Sequence, residues 1–405
     1  MKIRSITYFT NVGWPLSDVK IQKAGAFLKA ARAIFEEAGY EVQSTRLAST
    51  SFASTLGPDA ISLIPRMSNK LSAAILAQGI DYAALGPALR EIPESYEMIP
   101  DALSASKNIF FCGEMASVEK GISLPAIHSC AEVMVRNATV MPDGFANLRF
   151  AAIANVLPGG PFFPSSYHDS DTPTFALAIE CADLAVEAFE NAATIDAGRK
   201  ALTAALENHG RKLTLAAEPL KYQFSIRFGG IDFSLAPFPQ EARSLGAAME
   251  RIGAPKAGMH GSLAAAAILT ESIDRADFPR VGFCGFMGPI LEDAILAKRA
   301  AEGVLTVKDI LMYAAVCGAG LDTIPLPGDV TVDQLSALLL DISVLALRLH
   351  KPLTARLMPI PGKKAGDDTN FNFDYFVNSK VMALEAQKLE KLFATDEVFT
   401  MGPRK

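Results

Sequence analysis

Residues 280–329 hold the densest set of side chains able to do chemistry in this chain: the thiols Cys284 and Cys317 and the carboxylates Glu292, Asp293 and Asp322. Gly282, Gly285 and Gly288 fall at equal spacing in a stretch that reads as strand, glycine loop and helix. A glycine loop before a helix is a common phosphate site. The spacing G-x-x-G-x-x-G, however, is neither the dinucleotide fingerprint nor the P-loop. Pro289, expected in the first helical turn, donates no N–H. Glu292 and Asp293, expected in that same turn, would repel phosphate. Tight backbone packing, or a carboxylate pair acting as metal ligands or acid–base groups, accounts for the loop better.

Cys317 is expected at the end of a helix opening near Thr306. The negative end of a helix dipole disfavours a thiolate there. Cys284 lies beside two carboxylates, so both thiols fit a buried structural role; Cys317 stays among the catalytic candidates and Cys284 among the substrate-contacting ones. Arg356 is a charge inside the apolar run T-A-R-L-M-P-I and needs a partner. It either clamps a substrate carboxylate or pairs with Asp322 or Asp367. Asp232, in the apolar run G-I-D-F-S-L, likewise needs a partner. His260, between glycines at a strand-to-helix junction, is a general-base candidate, and His168, in a Pro- and Gly-rich loop, is a substrate-binding one. Asp322 and Asp367 are the candidate ligands for a divalent cation, magnesium or calcium.

The elements that must position these groups alternate between strand and helix along the whole chain. Strands are expected at residues 3–10, 40–48, 80–85, 109–112, 149–155, 174–180, 230–235 and 353–359. Helices are expected at 18–38, 70–78, 125–136, 194–206, 213–226, 243–252, 262–272, 331–349 and 385–393. That alternation argues for an α/β fold with mainly parallel strands, in one domain spanning residues 1–405. Of 405 residues, 50% are hydrophobic, enough for a large core, and the net charge of −6 does not suit a nucleic-acid partner. Five scattered cysteines without a C-x-x-C favour reduced thiols in a cytoplasmic protein. No stretch reaches the roughly 20 apolar residues of a membrane span.

The ordered motifs FGGIDFSLAPFP, GMHGS, GFCGFMGPILEDA, AAVCGAGLDTIPLPGD and TARLMPIPGKKAGD resemble uncharacterised-protein family 0210, the domain of unknown function family 711. The resemblance is strongest over residues 228–368. It implies the fold of the glycyl-radical enzymes, a ten-stranded α/β barrel of two parallel five-stranded halves set antiparallel. It does not imply their chemistry, because the arginine–valine–x–glycine–tyrosine radical loop is absent from this sequence. Cys284 stands where relatives tend to carry a small hydroxyl residue, and NFNFDYF replaces a glycine-rich turn, which implies a divergent substrate.

The expectation is therefore a non-radical barrel enzyme. It would be an acid–base or metal-assisted lyase, isomerase or hydrolase acting on a small carboxylated metabolite. His260, Glu292, Asp322 and Cys317 would be catalytic, and Arg356, Asp232, His168 and Cys284 would contact substrate. No nicotinamide, flavin or glycyl radical is expected, and the expected partners are the small-molecule substrate and further copies of the chain in a homo-oligomer. The alternative is a metabolite-binding or regulatory protein that kept the barrel and lost catalysis.

Overall fold

Apolar, β-branched runs become strands of one mixed sheet in the computed structural model, which describes residues 1–316 and 318–404. In chain order the strands are β1 (Lys2–Phe9), β2 (Thr45–Ala48), β3 (Tyr82–Ala88), β4 (Ile109–Ser117), β5 (Gly121–Ser123) and β6 (Phe150–Ala154). They continue with β7 (Thr174–Glu180), β8 (Arg227–Ala236), β9 (Gly320–Pro327), β10 (Leu353–Ile360) and β11 (Val398–Phe399). The main order is β8-β7-β1-β2-β3-β4-β6-β10-β9, with β5 and β11 attached beyond β4. Strands β1, β2, β3, β4 and β6 are parallel. The pairs β7–β8 and β9–β10 are each parallel inside and antiparallel to that block.

The expected five-stranded parallel half is thus present, but the expected closed ten-stranded barrel is not: the sheet is not closed. Residues 280–289 lie between the two edge strands and touch each by a single bridge, Arg280 to Ile231 of β8 and Pro289 to Asp322 of β9. The physical reason lies in this segment's own sequence. Gly282 and Cys284 take positive φ (76° and 43°), which breaks an extended run. The N–H groups of Phe283 and Cys284 go to the Asp232 carboxylate rather than to a neighbouring strand.

Helices cover the sheet and bury their apolar stripes. Ile21, Ala24, Phe27, Leu28 and Ala31 of the helix Asp18–Glu37 face the core as their spacing predicts. Several elements differ from expectation. Residues 194–226 form one helix, Ile195–Gln223, instead of two. Gly210 does not interrupt it; its missing Cβ makes room for Phe278, whose Cβ would stand 2.9 Å away. The helix expected at 385–393 is absent, and only the short turn Lys391–Ala394 forms there. Residues 383–390 carry no regular secondary structure; before them the Met382 N–H donates to the Pro325 carbonyl, and after them β11 pairs with β5.

Asp293 decides where the next helix starts. It is the N-cap of Ala294–Ala301, accepting from Ile295 and Leu296 at 3.0 and 2.9 Å. Pro289 and Glu292 therefore lie before the helix, not in its first turn as expected. The same carboxylate also accepts from the Ser244 hydroxyl and the Leu245 N–H, at 2.5 and 2.6 Å, at the start of the helix Leu245–Ile252. One buried side chain thus satisfies orphan donors of two helices. Asp293→Ala is expected to lower stability by about 2–4 kcal/mol, more than one cap alone, as read by urea unfolding. A loss confined to the few tenths typical of a surface position would refute the double-cap role.

Candidate functional site

Alternate residues of a strand point to one face, and here those faces surround a cavity of about 610 Å³. Arg4 of β1, Arg46 of β2, Tyr82 of β3, Phe110 of β4, Asp232 of β8 and Arg356 of β10 all line it. The sheet is therefore curled around this space, and strand positions deliver Arg4, Arg46, Tyr82, Asp232, Ser234 and Arg356 to it.

A chain of buried charges crosses one end. Arg356 meets Asp322 with two parallel bonds, Nε to Oδ1 at 2.5 Å and Nη2 to Oδ2 at 2.9 Å. Its Nη2 also donates to Glu292 at 2.8 Å. The second oxygen of Glu292 takes the guanidinium of Arg4. Burial by itself would raise the Glu292 carboxyl, but Arg4 and Arg356 outweigh it and hold the group below the usual carboxylate range. Glu292 therefore stays ionised and bridges two cations. Of the two expectations for Arg356, the structure shows the ion pair with Asp322.

Arg46 is the odd charge. Among the described residues no carboxylate pairs with it, and its one hydrogen-bond partner is the Ser44 hydroxyl, which accepts from Nε at 3.0 Å. Its guanidinium carbon lies 5.0 Å from the Phe163 ring centre and 5.8 Å from that of Tyr82, its register neighbour on β3. A cation over a ring is attracted by the ring's negative face but gains no hydrogen-bond acceptor from it, and among the described residues only the Arg46 Nε has an acceptor. Burial, with Arg4 adding, lowers its pKa to about 10, so it remains a cation at neutral pH.

Asp232 lines the same cavity and explains the glycine loop. Its oxygens accept from the Phe283 and Cys284 N–H groups, both at 3.0 Å, and from the Ser234 hydroxyl. A Cβ at Gly282 would land on this carboxylate. The loop thus cradles an anion, but the anion is the protein's own. Burial raises the Asp232 pKa against these three donors. Gly318 and Gly285 serve close packing, since a Cβ on Gly318 would come within 2.8 Å of the Gly285 Cα. The Cys284 thiol donates to the carbonyls of Ile231 and Val281 at 3.4 and 3.3 Å, and burial pushes its pKa well up, so it is held as a thiol.

The remaining candidates do not gather here. His260 is exposed and is not among the residues lining the cavity. His168 is buried outside it, bonded to the Thr172 carbonyl at 3.1 Å, with burial lowering its pKa. Cys317 lies outside the described residues. Asp367 is exposed and accepts the Lys364 N–H at 2.7 Å in a turn. Asp322 and Asp367 do not fit a cation: Arg356 already takes both Asp322 oxygens, and no group of three His, Cys, Asp or Glu able to hold a metal occurs among the described residues. The residues missed from sequence are Arg4, Arg46 and the rings of Tyr82 and Phe163. The available signal was the one applied to Arg356, an arginine placed within a strand.

The family model described as "Uncharacterised ACR (DUF711)" matches residues 1–376. The UPF0210 protein of Pyrobaculum aerophilum is 31% identical over 73% of this chain and 66% of its own length. That of Pyrobaculum arsenaticum is 31% identical over 67% of this chain and 61% of its own. The chain thus spans just under two thirds of these two relatives. The UPF0210 protein of Lactobacillus delbrueckii subsp. bulgaricus is 25% identical over 86% of this chain and 81% of its own length.

Glu292→Gln leaves Arg4 and Arg356 without their shared anion and is expected to cost about 3 kcal/mol at pH 7. Because the folded-state pKa of Glu292 is depressed, its contribution is full above the unfolded value and fades as pH falls through the folded one. The gap between wild type and variant in denaturant titrations should therefore close on acidification below the usual carboxylate range. A gap that is constant with pH would contradict the ionised bridge.

Proposed function

The chain belongs to the DUF711 family of uncharacterised proteins, and we propose that it is a non-radical enzyme doing acid–base chemistry on a small carboxylated metabolite. The reaction classes that suit the site are lyase, isomerase and hydrolase. The observation carrying this is Arg46, a cation facing a cavity with no carboxylate of the described residues paired to it. A half-buried guanidinium whose terminal nitrogens have no hydrogen-bond partner among the described residues is a receptor for a carboxylate, which it binds with two parallel hydrogen bonds.

In this proposal Arg46 anchors the substrate and Asp232 moves the proton. A carboxyl whose pKa is raised by burial can hold and release a proton nearer neutral pH than an ordinary aspartate. Glu292, kept ionised, fixes Arg4 and Arg356 and shapes the field at the cavity's charged end. Arg356 then positions Glu292 and does not clamp substrate itself. We further read the fold as a variant of the ten-stranded barrel in which residues 280–289 take the tenth position as a loop, a reading supported by the two single bridges.

Calorimetric titration with propanoate should show binding that Arg46→Met weakens at least about tenfold, with Arg46→Lys intermediate. Incubation with a panel of small carboxylates in D2O, followed by NMR, should show deuterium entering at a carbon of one of them. Asp232→Asn, confirmed as folded by circular dichroism, should abolish that exchange and keep the binding. Binding without exchange of any acid would move the chain to the alternative, a metabolite-binding protein without catalysis. Binding indifferent to Arg46 would overturn both.

A further inference from the structure

The charged end makes up only part of the cavity wall; aromatic rings make up much of the rest. Around Arg46 the rings are chained edge to face, Tyr82 to Phe110 at 5.6 Å and Phe110 to Phe163 at 5.4 Å. A second ring group, Phe145, Phe373 and Tyr375, lines the same cavity, with Phe373 at 5.1 Å from Phe145 and 5.3 Å from Tyr375. Phe373 and Tyr375 stand in the loop after β10. Asn378 pins this loop by accepting the Phe371 N–H at 2.8 Å and donating to the Phe371 carbonyl at 3.1 Å. Val377 donates to the Leu291 carbonyl at 2.7 Å, which ties the loop to the residue beside Glu292.

Charge limits what this space can take. Arg4 and Arg356 are committed to Glu292 and Asp322. Arg149, also on the wall, gives its donors to the carbonyls of Leu103, Ser106 and Ile109. Lys107 lies exposed at the rim, where water and salt screen it. Arg149 has carbonyl acceptors in place of a carboxylate, so among the described residues Arg46 is the guanidinium on this wall whose terminal nitrogens are left without an acceptor. A second carboxylate on the occupant would be pressed against rings, where an unpaired charge is costly. The cavity, at about 610 Å³, belongs to the size class that encloses a ligand with a substantial apolar body. Ring walls favour a ring as that body, through edge-to-face and offset contacts beyond plain burial.

We infer that the occupant is an aromatic monocarboxylate, its carboxylate on Arg46 and its ring between the Tyr82–Phe110–Phe163 wall and the Phe373–Tyr375 loop. This rests on Arg46 being the anion anchor. The test is calorimetric titration of the full chain with 3-phenylpropanoate, propanoate and succinate. Phenylpropanoate should bind at least about tenfold more tightly than either of the others. Phe373→Ala and Tyr375→Ala, both in the half-exposed loop, should shrink that preference and leave propanoate affinity within about twofold. Equal affinity for all three acids, or a preference for succinate, overturns the aromatic assignment and leaves Arg46 as anchor. A preference for phenylpropanoate untouched by both loop variants overturns the placement of the ring. If none of the three acids binds in an Arg46-dependent way, the anchor itself fails and this inference falls with it.

Discussion

A guanidinium buried inside a sheet must be matched by a carboxylate or a cage of acceptors, because leaving it bare costs several kcal/mol. Arg356 is buried on β10, and the matching runs through Asp322 on β9 to Glu292 and on to Arg4 on β1. In the order of the sheet, β9 and β10 are remote from β1. The ionic chain therefore crosses the interior of the curled sheet and holds parts of it that no ladder joins. With one acid between two arginines and one beyond, it leaves no carboxylate over for Arg46.

The second constraint is that carboxylates here are used on backbone amides. Asp232 holds the loop at Phe283 and Cys284, and Asp293 holds the starts of two helices. The adjacent acids Glu292 and Asp293 thus face different ways, one to the arginines and one to helix donors. Positive φ at Cys284 disfavours the loop by about 1 kcal/mol, which the charge-assisted bonds to Asp232 offset. A loop with the look of an external anion site is in fact filled by an internal one.

What could be foreseen follows from how local each cause is. Strands and helices with their own periodicity were legible, since each depends on a short run of consecutive residues. Arg356 was legible because its neighbours are apolar. Arg4 and Arg46 were obscured by polar neighbours, in K-I-R-S and S-T-R-L, which read equally well as solvated strand faces. The start of the helix Ala294–Ala301 was misplaced because its cap also serves a distant helix, and no local spacing records that approach. The lost helix at 385–393 has the same origin: the chain on either side is fixed by tertiary partners, Met382 to Pro325 and β11 to β5, which override its helical composition.

Arg46 is held by aromatic faces where Arg356 is held by carboxylates, and the difference has an energetic consequence. Faces restrain the orientation of a guanidinium without neutralising it. Burial and the neighbouring Arg4 then lower its pKa to about 10, so its cationic form is disfavoured where it stands. In the proposed binding a carboxylate would relieve that penalty on a planar guanidinium, at a small cost in rotamer entropy. A carboxylate supplied by the protein at the same place would remove the penalty permanently and the affinity with it. The absence of a paired acid at Arg46 among the described residues is thus the feature on which its proposed role as a binding position rests, in contrast to the structural ion chain beside it.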